Sequence, residues 1–155
     1  SAMEGPSFLH RRSGLGVGVE ERRVISHVLD TCAVLDLAAG RWSDPAARSE
    51  LSAADDPVIL CVTVWELARK LRLGKIILPC PQAGVAAFVE EIARRHQLRV
   101  VPLDADLCNA AEMLPAGHED PFDRMIIALA VRAKCPVFTT DSHFDGYPVA
   151  VIRQR

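Results

Sequence analysis

No apolar run in this chain approaches the roughly 20 residues needed to cross a bilayer. The longest stretches, 58–64 and 125–131, fall far short of it. The segment after Met3 has no long apolar core of the secretory kind, and the opening Ser1-Ala2-Met3 reads as a remnant of tag cleavage. A soluble protein residing in the cytoplasm is the expectation, with no membrane partner. Cysteine is present five times, at 32, 61, 80, 108 and 135, but with no Cys-x-x-Cys pair and no histidine at zinc-finger spacing. That excludes a disulfide framework and a structural zinc, and Cys32 and Cys61, inside apolar runs, are expected to pack as small hydrophobes. An excess of positive charge is missing too: the formal net charge is -2. A protein that grips nucleic acid mainly through phosphates is usually strongly basic. Any such contact here must come from a local basic patch, a bound cation or a basic partner. Internal repeats and coiled-coil heptads are absent as well.

What is present is one domain's worth of material, 155 residues with 50% hydrophobic side chains, enough for a single core. Residues 1–23, rich in Gly, Arg and Ser, have no period that buries a face and read as an extension to a domain over 24–155. The alternating Gly14, Gly16 and Gly18 do not make a dinucleotide fingerprint, because no strand precedes them and the third spacing is wrong. Strand signals at 24–29, 58–62, 98–103, 136–140 and 149–152 alternate with helical ones. The helices are expected at 31–39, closed by Gly40, at 45–53, from Thr63 to an end at Gly74, at 81–96, 104–114 and 122–133. Such alternation predicts an α/β fold: a small, open, mostly parallel sheet with helices on both faces.

Carboxylates stand where this architecture builds sites, at the carboxyl ends of strands or in the first turn of the next helix. They are Asp30, Glu66, Asp120 with Asp123, and Asp141. Each also has a local explanation, since helix N-termini favour acids. Asp30 suits the N-cap of the helix at Thr31, and Asp120-Pro121 reads as N-cap then N1 proline with Asp123 at N3. Thr63 and Glu66 have the spacing of a capping box, and Asp141 suits a cap on the turn 142–144. An apolar stripe at 64, 67, 68 and 71 leaves Glu66 on the polar side of its helix.

Taken together they ask for more. Two like charges about 4 Å apart at an effective dielectric near 20 repel by roughly 4 kcal/mol. A hard divalent cation, Mg²⁺ or Mn²⁺, neutralises such a cluster through oxygen ligands and suits phosphodiester hydrolysis.

Four blocks resemble a known family. Asp30-Thr31-Cys32-Ala33-Val34 after an apolar strand is similar to the opening of PIN domains. Trp65-Glu66-Leu67, with the later Leu73-Gly74-Lys75, resembles a segment of VapC-type toxins. So do His118-Glu119-Asp120-Pro121-Phe122-Asp123-Arg124 and the closing Thr140-Asp141 with Phe144 and Tyr147-Pro148-Val149. The blocks keep the family's order across 26–152. The resemblance implies a PIN fold and a Mg²⁺- or Mn²⁺-dependent endoribonuclease acting as the toxin of a type II toxin-antitoxin pair. It also implies a cognate antitoxin of the VapB kind. Asp30, Glu66, Asp123 and Asp141 match the family's four acids as catalytic and metal-holding residues, with Asp120 a neighbouring fifth. Thr31 and Thr139 or Thr140 match polar positions that orient water or ligands. The sequence departs at Leu129, where the family usually has glutamine.

A haloacid-dehalogenase-like phosphatase is excluded because Cys32 stands where its second aspartate belongs. A receiver-type signalling domain wants an acidic pair after the first strand and a lysine after the last, and neither is present. A catalytically silent PIN-like binding module stays open. Candidate RNA contacts are Arg69, Lys70, Arg72 and Lys75 on one helix and Arg94, Arg95 and Arg99 elsewhere, against the alternative of a solvated face. Arg124 adjoins Asp123 or covers apolar surface with its stem. His118 and His143 are minor candidates for acid or base. No motif encodes which RNA is chosen, and oligomeric state, a homodimer included, is left open.

Overall fold

The computed structural model describes residues 23–155, so all but the last residue of the expected extension over 1–23 lies outside the described residues. Five strands form one sheet: β1 (His27–Leu29), β2 (Pro57–Leu60), β3 (Arg99–Val101), β4 (Val137–Phe138) and β5 (Val151–Ile152). Their order is β3-β2-β1-β4-β5 and every pairing is parallel. Six helices connect them: α1 (Thr31–Ala38), α2 (Pro45–Ala53), α3 (Val62–Arg72), α4 (Val85–Arg95), α5 (Ala105–Met113) and α6 (Pro121–Ala133). Among the described residues no helix is long and apolar enough to cross a membrane.

The pleat divides the strand side chains between two cores. Val28, Val58, Leu60 and Val137 pack with Leu107 of α5 and Ile126, Ile127 and Leu129 of α6. Leu29, Ile59 and Phe138 point the other way, onto Ala33 and Val34 of α1 and Val89 and Ile92 of α4. Both faces are therefore covered, which is why the strands read as near-continuous apolar runs. Leu129, the position that departs from the family pattern, is 2% exposed and packs as core.

β1 ends where its apolar run does, at Leu29, and β2 ends earlier than its run because the next residue already belongs to the following element. Asp30 caps α1, with its carboxylate accepting from Ala33 N. Cys61 donates to Val101 O and then turns into helical dihedrals, so α3 opens at Val62 rather than Thr63. The segment 81–96 begins as a 3-10 turn, Gln82–Gly84, before α4. Gly40 and Gly74 take φ of 66° and 69° beyond α1 and α3, the left-handed position that glycine occupies without strain.

The chain runs outward from β1 to β2 and β3 on one side and to β4 and β5 on the other. Between β1 and β4 lies the switch point where an open parallel sheet leaves a crevice at its carboxyl edge. Asp30 follows β1 there and Thr139 follows β4.

Candidate metal centre

Asp30 is 1% exposed. One of its carboxylate oxygens accepts from Ala33 N at 2.7 Å and the other accepts the hydroxyl of Thr139. Thr139, itself fully buried, in turn accepts from Asp141 N at 2.9 Å. One threonine thus fixes the two acids that follow β1 and β4 relative to each other. Glu66 is buried at 3% exposure, its Oε2 accepting from Thr31 Oγ1 at 2.5 Å and its Oε1 from Lys70 Nζ at 2.6 Å. Thr63 Oγ1 lies 3.2 Å from Thr31 Oγ1, so this hydroxyl backs the pair.

Two local readings of the sequence fail here. Thr63 and Glu66 do not form a capping box, because Cys61 is the N-cap and both side chains engage Thr31 instead. Nor does Glu66 face solvent: α3 packs against α1, and the side opposite its apolar stripe meets the carboxyl edge of the sheet. Cys32 is exposed and Cys61 half-buried, so neither is the core thiol expected of it, and all five cysteines are free.

Asp120 is the N-cap of α6, accepting from Phe122 N at 2.9 Å and Asp123 N at 3.4 Å, with Pro121 in the first turn. Asp123 sits one turn in, its Oδ2 2.6 Å from His118 Nε2. That same nitrogen lies 3.7 Å from Asp141 Oδ2. Asp141 caps the 3-10 turn Ser142–Gly146 through His143 N and also meets His143 Nδ1 at 2.7 Å. His118 and His143 are stacked, with ring centroids 4.8 Å apart. The two histidines, minor candidates in the sequence, are in contact with the acids. Arg124 neither pairs with Asp123 nor merely covers apolar surface: its guanidinium donates to backbone carbonyls of the α5–α6 loop and to Tyr147 Oη.

Charge decides what the site can hold. Among the described residues four acids are fully buried, Asp30, Asp36, Asp56 and Glu66. Asp36 is met by Arg41 and Arg155, Asp56 by Arg99 and Glu66 by Lys70. Asp30 has no cationic partner among the described residues. Burial accordingly pushes its carboxyl up to about 7, with Asp123 and Asp141 adding repulsion against its hydrogen bonds. Asp123 rises to about 6 through burial and the nearby Asp120 and Glu66, despite His118. Asp141 goes the other way: burial raises it, but the backbone and ring of His143 outweigh that and hold it below the usual range. A set of oxygen donors that resists ionisation for want of positive charge fits a hard divalent cation.

The stability of the metal-free protein follows from these directions. A carboxyl whose folded pKa is raised makes its full contribution below the unfolded value of about 4 and loses it as pH rises through the folded value. Asp30 and Asp123 place that loss between pH 4 and 7. Asp141, Asp104 and Glu91 are shifted down, so their opposite contribution is complete by about pH 5, while His96, lowered by burial, gains stability as pH rises to about 6.5 and offsets part of the loss. Metal-free melting temperatures are expected to fall from pH 5 to pH 7.5, and saturating Mn²⁺ to flatten or reverse the fall. A metal-free midpoint that climbs steadily across that window is the contrary result.

The family assignment rests on a model of the PIN domain, which matches residues 27–149. The chain belongs to the PIN-domain family. No curated protein sequence matches this PIN domain, but solved structures share its fold. Its fold is similar to that of VapBC from Salmonella typhimurium bound to DNA, with TM-score 0.61 at 18% identity, covering 84% of this chain and 99% of that one. VapBC2 from Rickettsia felis, bound to a DNA fragment from its promoter, gives 0.59 at 13%, covering 83% and 98%. FitAcB from Neisseria gonorrhoeae gives 0.58 at 20%, covering 83% and 97%.

Asp120 can be separated from the other acids experimentally. Asp120→Ala removes a cap and is expected to cost about 1 kcal/mol in chemical denaturation. Mn²⁺ affinity should stay within a few fold. A drop in affinity as large as that of Asp123→Asn would place Asp120 among the ligands.

Proposed function

We propose that this PIN domain is a metal-dependent endoribonuclease, hydrolysing RNA phosphodiester bonds as the toxin of a toxin-antitoxin pair. The observation that carries the reading is the buried Asp30, without a cation among the described residues, joined through Thr139 to Asp141, with Asp123 near it and Glu66 near Asp123. Asp30, Asp123 and Asp141 would hold Mg²⁺ or Mn²⁺, with Glu66 beside them and Asp120 capping α6. The ion, when bound, polarises the phosphate and favours deprotonation of water. The chain's own part is placement. Thr139 ties the Asp30 carboxylate to the backbone of Asp141, Thr31 and Lys70 aim Glu66, and His118 steadies Asp123.

Several of the basic residues considered for RNA are engaged within the chain. Arg94 and Arg95 pair with Glu91, Arg99 with Asp56 and Lys70 with Glu66. Arg69, Arg72 and Lys75 remain exposed at the end of α3, without an ion pair among the described residues, and are the cations left for an RNA backbone. The fold shared with VapBC and FitAcB supports a small antitoxin partner of the VapB kind. A basic side chain from it suits an acidic edge that has too few cations of its own.

Cleavage of RNA by the purified chain should require Mg²⁺ or Mn²⁺ and stop in excess EDTA. Persistent cleavage in EDTA by a preparation free of other nucleases counts against the metal. Metal binding without cleavage of any RNA offered favours the silent binding module.

A further inference from the structure

His118, Asp141 and His143 each present one ligand atom, and these atoms lie within 4.8 Å of one another. His143 Nδ1 is 2.7 Å from Asp141 Oδ1, and His118 Nε2 is 3.7 Å from Asp141 Oδ2. In a tetrahedral site with bonds of about 2.0 to 2.1 Å, neighbouring ligand atoms stand roughly 3.3 Å apart. The two spacings to Asp141 bracket that value, and the remaining one, within 4.8 Å, closes by rotation of the exposed His143 ring by more than an ångström at its nitrogen. Two nitrogen donors with one carboxylate are a poor set for Mg²⁺, which takes oxygen, and a good one for Zn²⁺ and its neighbours in the first transition row. The imidazoles lie side by side, with centroids 4.8 Å apart and an interplanar angle of 18°, so the exposed His143 ring must turn out of the stack for both nitrogens to meet one ion.

We propose that His118, Asp141 and His143 form a second cation site, selective for a borderline transition metal such as Zn²⁺, and that filling it withdraws Asp141 from the carboxylate centre. The site itself stands on the histidine geometry; the withdrawal rests on the proposed Mg²⁺ or Mn²⁺ centre. With Asp141 bound to zinc and His118 turned from Asp123 toward the same ion, the carboxylate centre keeps only part of its donor set. Zinc is then an inhibitor of the proposed nuclease.

Titration of the full chain with Co²⁺, followed by visible absorption, tests the site without reference to activity. The expected result is one Co²⁺ per chain with the intense bands of a four-coordinate nitrogen-containing site, displaced by stoichiometric Zn²⁺. His143→Ala, at a side chain 67% exposed, should keep the fold, checked by its melting curve, and weaken Co²⁺ by at least about tenfold, the scale on which even outer-shell partners matter. His118→Gln, whose amide nitrogen reaches the place of Nε2 and keeps a hydrogen bond to Asp123, should do the same, while Asp30→Asn keeps the spectrum. Absence of those bands in the parent, or an unchanged titration in His143→Ala, overturns the proposal. Paramagnetic resonance of bound Mn²⁺ tests the withdrawal: Zn²⁺ should release Mn²⁺ from the parent but not from His143→Ala. Retention of Mn²⁺ by the zinc-loaded parent overturns the withdrawal. A parent that never binds Mn²⁺ overturns the carboxylate centre and the withdrawal with it, and the Co²⁺ bands then decide the histidine site alone.

Discussion

Asp30→Asn is expected to abolish RNA cleavage, lowering kcat/KM by at least about 100-fold at saturating Mn²⁺, and to leave the metal-free protein at least as stable as the parent at pH 7.5. The two effects have one cause. The parent holds Asp30 in a place where burial raises its carboxyl to about 7, so ionisation at working pH is opposed by the fold. Asparagine keeps the shape and the bond from Ala33 N while removing the charge. It costs a hydrogen bond, since the Thr139 hydroxyl loses its carboxylate acceptor, a penalty of about 1 to 2 kcal/mol. Relief of the buried charge offsets this or exceeds it, because each pH unit by which a pKa is displaced corresponds to about 1.4 kcal/mol. Melts without metal and cleavage with it check both halves. Cleavage within a few fold of the parent removes Asp30 from the centre, and a marked loss of metal-free stability shows that its charge is tolerated after all.

Arg124→Ala is expected to destabilise the fold by about 2 to 4 kcal/mol. The guanidinium reaches from α6 to the carbonyls of Ala111 and Glu112, near the open end of α5, and to those of Leu114, Pro115 and His118 in the loop beyond. The last carbonyls of a helix have no partner within it. One planar fork with five N–H groups satisfies several of them at once, which an ammonium cannot do, so Arg124→Lys should recover only part of the loss. Arg124 also shares Tyr147 Oη, which accepts from His118 N at 2.7 Å. Cleavage should therefore fall further than stability alone explains, since His118 loses its fixed place beside Asp123. Denaturation curves and kcat for both variants decide it; a cost below about 1 kcal/mol for alanine contradicts the clamp.

Alternation of strands and helices was legible because β1, β2 and β4 are largely buried on both faces and aspartates cap the elements that follow β1, β3 and β4. Asp30, Asp120 and Asp141 were legible as caps, and the structure has each of them capping an element. For Asp30 the cap is one oxygen only, which is why a local reading found a complete explanation for a residue whose second oxygen does something else. Glu66 was misread because a helical wheel knows one buried face, whereas α3 buries polar atoms against α1 on another side. The i,i+4 spacing to Lys70 carried the signal for its charge partner. His118 and His143 lie 25 positions apart in sequence and meet only because the loop before α6 and the turn after β4 fold onto the same edge. Arg124 shows the same limit: six of its bonds reach segments that no periodicity connects.

β4 is two residues long, yet it is an interior strand of the sheet, between β1 and β5. Its bonds to β1 join positions more than a hundred residues apart, as does Thr139 with Asp30. During synthesis β1, β2 and β3 emerge early and can pair, but Asp30 faces a gap until Val137 and the residues after it leave the ribosome. The centre is thus finished last, whatever the order in which the remainder condenses. For the nuclease proposed above this amounts to a delay line: a chain still short of its closing strands would lack the finished centre, and the proposed antitoxin would have the whole of that interval in which to arrive.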